Sequence, residues 1–266
     1  MRAYGGISIV NAIPCWLGSS AAVDLKIKVS IEETRERDPS ESRLVKEILD
    51  FFEKRWNIPH VKVKVESDVP SRSGLKSSSA VSVALIHELY SKFSIENYLS
   101  PPKLSAILSI KAGVSYTGAL DDAAASYYGG ISFTDNKYLK ILKMSNPPKD
   151  VVVMILPRGD RPNVDLNKLK QFSSSFAGIF ELAKRSIFDA MRINGTLIAE
   201  ILGYDKTPIN EAIKRGAIAA GISGNGPSYF ALSKEGEEGP IYDSLKKFGE
   251  PILTRFVELE GDNQTI

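Results

Sequence analysis

Residues 70–80 read PSRSGLKSSSA and combine a glycine, a lysine and five serines between a predicted strand and a predicted helix. The first N–H groups of a helix lack acceptors inside the helix, and the helix dipole adds partial positive charge, so this position attracts anions. Gly74 lets the backbone approach a phosphate closely, and Lys76 adds a positive charge. Spacing alone leaves two interpretations equally open: a phosphate-binding loop or a serine-rich helix cap. The Walker pattern GxxxxGK[ST] is absent from the sequence, which excludes the commonest phosphate-loop kinase architecture.

The segments around this loop show two kinds of hydrophobic periodicity. Residues 25–31 and 61–65 alternate between apolar and polar side chains, which predicts strands with one buried face. Between them, residues 43–56 carry apolar side chains at three- and four-residue steps, which predicts an amphipathic helix. Residues 80–93 are apolar on most of the helical circumference and predict a buried helix. The predicted order is therefore strand, helix, strand, loop and helix.

The second half of the chain also mixes the two kinds of element. Residues 151–156 form an apolar run that predicts a buried strand, and helical patterns follow between residues 166 and 220. A strand at 229–232, a helix at 241–248 and a final strand at 251–259 complete the prediction. The fold class is therefore α+β, and the polar segment 145–150 suggests two domains, residues 1–150 and 151–266.

Composition narrows the classes of partner. Hydrophobic residues at 43% and charged residues at 25% are typical of a globular chain, and the net charge of +2 provides no broad field for nucleic acid or a membrane surface. A small-molecule partner is therefore predicted. The single cysteine excludes an internal disulfide and predicts a cytoplasmic location. A secretory signal in residues 1–22 is the alternative, which Asn11 and Pro14 disfavour because they interrupt the apolar stretch.

Two further glycine-rich segments carry groups that phosphoryl transfer requires. Residues 115–130, SYTGALDDAAASYYGG, place the adjacent acids Asp121 and Asp122 among small and apolar residues. Taken alone, such a pair is more typical of a helix cap, and residues 221–227, GISGNGP, are typical of a tight β-turn. Together with residues 70–80, these segments supply hydroxyls, carboxylates and backbone turns for holding phosphates, binding a metal ion and orienting an attacking hydroxyl.

The three segments resemble, in the same order, the three motifs of the GHMP kinases. PSRSGLKSSSAVSVAL is similar to the central GLGSSAA motif, TGALDD followed by YYGG is similar to the catalytic-aspartate segment, and GISGNGP is similar to the third glycine motif. Within that superfamily, GLKSSSA, TGALDDA and the opening GGISIVNAIPCWLGSSAAVDL most resemble the archaeal-type shikimate kinases. This second resemblance covers the whole chain.

The resemblance implies a fold and a reaction. The fold is the two-domain α+β GHMP kinase fold, with an N-terminal part like domain 2 of ribosomal protein S5, a ferredoxin-like C-terminal part and no P-loop. The reaction is ATP-dependent phosphorylation of the shikimate 3-hydroxyl, with Mg²⁺ as cofactor, by a monomer or homodimer. Two alternatives stay open: a GHMP kinase for another alcohol, such as homoserine or mevalonate, and a non-catalytic nucleotide-binding regulator on the same fold.

The resemblance also implies roles for individual residues. The catalytic residue is Asp122, supported by Asp121, and Ser78 matches the magnesium-binding serine. Either Asp121 supplies a carboxylate to the metal as a second ligand or water and phosphate complete the coordination. Two departures stand out, because Lys111 occupies the position of a frequent magnesium-binding glutamate and Lys76 replaces the usual glycine of GLG. ATP contacts are expected from Pro70, Ser71, Arg72, Ser73, Gly74, Leu75, Lys76, Ser77, Ser78, Ser79 and Ala80. Substrate contacts are expected from Asn11, Asp122, Ser223, Gly224, Asn225 and Gly226.

Overall fold

The computed structural model describes residues 1–70, 73–96, 98–159 and 165–260. A five-stranded antiparallel sheet has the order β1-β2-β4-β5, and β3 pairs with the far half of β2. The long strand β2 pairs with β1 along one edge and with β4 and β3 along the other. The strands are β1 (Arg2–Val10), β2 (Leu17–Glu33), β3 (Val61–Ser67), β4 (Ile131–Asp135) and β5 (Lys140–Ser145).

A second antiparallel sheet has the order β7-β8-β6-β9. Its strands are β6 (Val151–Leu156), β7 (Ala219–Ile222), β8 (Tyr229–Lys234) and β9 (Ile252–Arg255). The helices of the described residues are α1 (Arg43–Trp56), α2 (Ser77–Lys92), α3 (Pro101–Lys111), α4 (Leu120–Tyr128), α5 (Leu166–Lys170), α6 (Ser173–Ala183), α7 (Ile187–Leu202), α8 (Thr207–Lys214) and α9 (Gly239–Lys246). No described helix is both long enough and apolar enough to cross a membrane.

One buried apolar cluster includes residues from both sheets. Phe180 of α6 meets Phe133 of β4 edge-on, with ring centroids 5.9 Å apart. Helix α7 packs directly against β7. The two backbones are so close at Gly195 that a Cβ added there would be 2.6 Å from Cα of Gly221. Since the core is continuous, the division into domains at residue 150 stays a prediction, although each sheet lies entirely on one side of that position.

The mixture of helices and antiparallel strands confirms the predicted α+β class. Several bounds differ from the periodicity-based predictions: β2 extends over Leu17–Glu33, α2 begins at Ser77, α9 covers Gly239–Lys246 and β9 covers Ile252–Arg255. Strand β1 was not predicted. Strand β1 is buried on both faces from Gly5 to Val10, so its sequence lacks the alternation that marks a strand with one exposed face.

Candidate active site

The serine-rich loop enters α2 through an unusual residue. Lys76 is the N-cap of α2 and has left-handed backbone geometry, with φ 68°, and its side chain does not cap the helix. The first turn of α2 is formed by Ser77, Ser78 and Ser79, all of which line a cleft of about 980 Å³. N–H groups in a first turn have no acceptor within the helix, so this wall of the cleft is rich in donors.

The loop is supported by the third glycine-rich segment. Gly74, with φ 78°, lies so close to Gly226 that a Cβ at position 74 would be 2.4 Å from the Gly226 carbonyl oxygen. The backbone N–H of Ser228 donates to the Ser73 carbonyl at 3.3 Å, and the Ser223 hydroxyl donates to the Gly74 carbonyl at 3.3 Å. The serine-rich loop and the third glycine-rich segment, which are distant in sequence, therefore form one continuous backbone surface.

Lys76 joins this loop to the acidic pair. Its ammonium group lies 3.0 Å from Oδ1 of Asp122 and donates to the Ser8 hydroxyl at 2.6 Å. Gly224 borders the same ammonium group, since a Cβ there would lie 3.1 Å from Nζ. The Ser20 hydroxyl donates to the same Oδ1 of Asp122 at 2.5 Å. Among the described residues, Oδ2 of Asp122 has no hydrogen-bond partner, and the residue lines the cleft.

Asp121 lies behind Asp122 and is almost completely buried, with 4% exposure. Its Oδ1 accepts a hydrogen bond from Asn136 at 2.8 Å, and its Oδ2 lies 3.2 Å from the Ser20 hydroxyl. The space for this carboxyl comes from Gly18, where a Cβ would lie 2.6 Å from the Asp121 carboxyl carbon. Burial, followed by the negative charge of Asp122, raises the pKa of Asp121 to about 7.

This raised pKa predicts a pH-dependent stability. Between its ordinary value of 3.8 and about 7, Asp121 holds a proton in the folded state but not in the unfolded state. The free energy of unfolding therefore falls as the pH rises through this range. We expect Asp121→Asn, which keeps the hydrogen bonds of the protonated acid and cannot ionise, to lose this contribution and to unfold at a higher temperature than wild type above pH 7. Thermal unfolding across the range measures both effects.

The control for this prediction is Asp50→Asn, which removes a carboxylate paired with Arg37 at 2.6 Å, away from the cleft. In this variant the free energy of unfolding should still fall as the pH rises from 3.8 to about 7, because Asp121 is unchanged. An identical slope in Asp121→Asn and in wild type would contradict the assignment of this proton to Asp121.

Three buried asparagines form a second polar group at the cleft. Asn194 of α7 accepts the backbone N–H of Asn11 at 2.9 Å and donates to the Asn11 side-chain oxygen at 3.1 Å. The Asn11 amide nitrogen in turn donates to Oδ1 of Asn225 at 2.8 Å. Asn11 and Asn225 line the cleft, whereas Asn194 lies fully buried behind them.

The structure brings most of the sequence-predicted residues to this cleft. Those that line it are Asn11, Ser73, Gly74, Leu75, Lys76, Ser77, Ser78, Ser79, Asp121, Asp122, Gly224 and Asn225. Pro70, Ala80, Ser223 and Gly226 do not line it, and the last two are buried beneath the loop that they support. Ser71 and Arg72 lie outside the described residues.

Other polar residues at the site carried no sequence signal of their own. Ser8 and Ser20 lie in the opening segment, but nothing in their local pattern distinguishes them from other strand serines. Asn136 and Asn194 are single amides without a motif, and only tertiary contacts show their partners. Lys111 forms an ion pair with Glu47 at 2.6 Å and does not line the cleft.

Family models match two parts of the chain. The model described as the GHMP kinases N terminal domain matches residues 43–130, which include the serine-rich loop and the acidic pair. The model described as GHMP kinases C terminal matches residues 183–251, which include Asn194 and the third glycine-rich segment. The residues that meet at the cleft therefore come from both matched regions and from the strands that precede them.

Curated relatives match nearly the whole chain. The chain is 31% identical to the shikimate kinase of Methanothermobacter thermautotrophicus, with 98% of this chain and 96% of the relative covered. It is 33% identical to the shikimate kinase of Pyrococcus abyssi, with coverage of 95% and 97%.

Solved structures match the fold at lower identity. A mevalonate kinase from L. major, solved in complex with R-mevalonate, has a TM-score of 0.72 and 15% identity, covering 98% of this chain and 95% of its own. A homoserine kinase from Cytophaga hutchinsonii has a TM-score of 0.68 and 17% identity, with coverage of 97% and 95%. At this identity the likeness concerns the fold alone.

Proposed function

This chain belongs to the GHMP kinase family of small-molecule kinases, and we propose that it transfers the γ-phosphoryl group of ATP to the 3-hydroxyl of shikimate. The products are shikimate 3-phosphate and ADP. The observation that carries the proposal is full-length similarity to archaeal shikimate kinases together with a Lys76–Asp122 ion pair at the end of a serine-rich loop. A cytoplasmic location and a monomeric or homodimeric state are part of the proposal.

The ATP phosphates bind along residues 73–79 in this proposal. The first-turn N–H groups of α2 and the serine hydroxyls provide donors, and the dipole of α2 favours negative charge at this end. Leu44 and the partly exposed side chains of Ile110 and Val114 also line the cleft. In this proposal these apolar side chains provide a surface for the adenine base, and Asn11, Asp122 and Asn225 of the cleft lining contact shikimate.

Asp122 acts on the proton of the attacking hydroxyl. Lys76 and Ser20 hold its Oδ1, which leaves Oδ2 for the substrate. As the shikimate oxygen bonds to the γ-phosphorus, the bond from that phosphorus to the β–γ bridging oxygen breaks, ADP leaves, and Asp122 accepts the hydroxyl proton. Lys76 balances negative charge on the transferred group, because its ammonium lies 3.0 Å from the Asp122 carboxylate and the residue lines the cleft.

The residues of the cleft fit Mg²⁺ held largely by ATP. Mg²⁺ commonly keeps several waters and binds through one or two protein oxygens plus substrate phosphates, and Ser78 offers an exposed hydroxyl on the cleft wall. The described residues contain no group of three or more His, Cys, Asp and Glu side chains arranged for a metal. When bound, Mg²⁺ supplies charge neutralisation on the phosphates. The surroundings of Asp121 disfavour it as a ligand, since its side chain is almost completely buried and its Oδ1 already accepts a hydrogen bond from Asn136.

A substrate panel tests this proposal. The purified protein is assayed for ADP release with ATP, Mg²⁺ and shikimate, homoserine or mevalonate in turn. We expect turnover with shikimate and a far lower kcat/KM with the other alcohols, because the site's polar groups are matched to one substrate. Preference for homoserine or mevalonate would reassign the substrate, and ATP binding without turnover of any alcohol would favour the non-catalytic regulator.

A further inference from the structure

The three buried asparagines form a chain of hydrogen bonds whose direction is set at one end. The backbone N–H of Asn11 can only donate, so the Asn194 atom that faces it at 2.9 Å must be the carbonyl oxygen. The Asn194 amide nitrogen then faces the Asn11 side-chain oxygen at 3.1 Å. Consequently the Asn11 amide nitrogen faces Asn225 and donates to its Oδ1 at 2.8 Å.

These hydrogen bonds leave one side-chain N–H donor, on Asn225, unpaired at the cleft within the described part of the chain. Because Oδ1 of Asn225 accepts from Asn11, the geminal Nδ2 is turned away from Asn11 and has no hydrogen-bond partner among the described residues. Asn225 lines the cleft, and its neighbour Gly224 borders the Lys76 ammonium. Reversal of any one amide would set two donors or two acceptors against each other, so the three orientations are interdependent.

The position of Asn194 is set by close backbone packing. Gly195, the next residue along α7, lies against Gly221 of β7 without room for a Cβ on either residue. Asn194 itself is completely buried and is not among the residues that line the cleft. It therefore affects the cleft through Asn11 rather than by contact with a ligand.

We propose that Asn194 is a positioning residue, which directs the Asn225 amide nitrogen toward an acceptor oxygen of the phosphoryl-acceptor substrate. A carboxylate is the best match in chemical class, because it has only acceptors and Asn225 presents only donors at this point. The substrate part of this inference rests on the proposed function. The direction of the amide chain does not.

Steady-state kinetics of Asn194→Leu test the effect on substrate binding. Leucine is similar in size but can neither accept from the Asn11 backbone nor donate to its side chain, so Asn11 and Asn225 lose their fixed direction. We expect KM for shikimate to rise roughly tenfold, the worth of one hydrogen bond to a charged group, with KM for ATP unchanged. A folded Asn194→Leu protein with an unchanged KM for shikimate would overturn the proposal.

A double-mutant cycle separates positioning from a general loss of structure. Asn225→Ala removes the donor itself, so adding Asn194→Leu to it should raise KM for shikimate no further. The matched control is Ile198→Ala, which opens a buried space one turn further along α7 and should lower the unfolding temperature without changing KM for shikimate. Additive effects of Asn194→Leu and Asn225→Ala would also overturn the proposal.

A measurement on the wild-type protein is independent of any variant's folding and of the substrate's identity. Nuclear magnetic resonance can detect scalar coupling across a hydrogen bond, here from the Asn11 amide nitrogen to the Asn225 side-chain carbonyl carbon. Observation of this coupling supports the amide chain, and the reverse coupling, from Asn225 to Asn11, overturns it. If shikimate is not a substrate, the proposed function fails while this measurement still decides the direction of the chain.

Discussion

Asp122→Asn should lower kcat about a thousandfold while leaving ATP binding near the wild-type value. Asparagine fills the same space, and its oxygen can replace the carboxylate Oδ1 that contacts Lys76 and Ser20. Its NH₂ group then takes the place of Oδ2, the oxygen that Lys76 and Ser20 do not contact. An NH₂ group donates to the substrate hydroxyl instead of accepting its proton, so the attacking oxygen stays protonated. Single-turnover phosphoryl transfer measures this loss, and ATP titration measures binding.

The control for this loss is again Asp50→Asn, whose carboxylate lies on α1 and pairs with Arg37. It should keep wild-type kcat. Near-normal turnover in a folded Asp122→Asn protein would contradict the role of Asp122 as the base. A loss of ATP affinity equal to the loss of turnover would indicate that the carboxylate acts in nucleotide binding instead.

Lys76→Met should lower kcat about a hundredfold and also raise KM for ATP. Methionine approximates the length of the lysine stem without its charge, so the phosphates lose a cation and Asp122 loses the partner 3.0 Å from its Oδ1. The side chain is only 9% exposed, so bulk water does not readily replace the ammonium. Both effects follow from the loss of one ammonium group, which pairs with Asp122 at the cleft.

A matched control exists in Lys64→Met, which removes an exposed lysine paired with Glu32 at 2.6 Å on β3 and β2. Its kinetics should equal those of wild type. If Lys76→Met retains wild-type kcat and changes only KM for ATP, Lys76 serves in phosphate binding alone, and its proposed action during transfer is wrong.

Local sequence patterns were enough to predict those elements whose sequence shows a regular period or an uninterrupted apolar run. Helix α1 begins and ends where its periodicity indicates, with Ser42 as a capping residue and Asn57 in the left-handed conformation at its end. Strand β6 was predicted as an uninterrupted apolar run. Strand β1 was not predicted, because burial on both faces removes the alternation of an exposed-face strand, and Gly5, Gly6 and Ser8 interrupt the apolar run that marked β6.

The candidate site was predictable in its motifs and not in its contacts. Similarity to known motifs pointed to the serine-rich loop and to Asp122, both of which line the cleft. The pairing of Lys76 with Asp122 could not be predicted, since it depends on how α2 and α4 are placed on the first sheet. Asn194 is separated from Asn11 by 183 positions, and a single amide within an apolar helix gives no local indication of its partner.

The contact between residues 73–74 and residues 223–228 also constrains how the protein is made. Translation releases the serine-rich loop, Lys76 and Asp122 long before the segment that supports the loop leaves the ribosome. A nascent chain can form much of the first sheet, but the Gly74 and Ser73 carbonyls have no support until Ser223 and Ser228 arrive. The proposed nucleotide site is therefore among the last parts of the protein to become complete, and we expect ATP binding only once synthesis has passed the third glycine-rich segment.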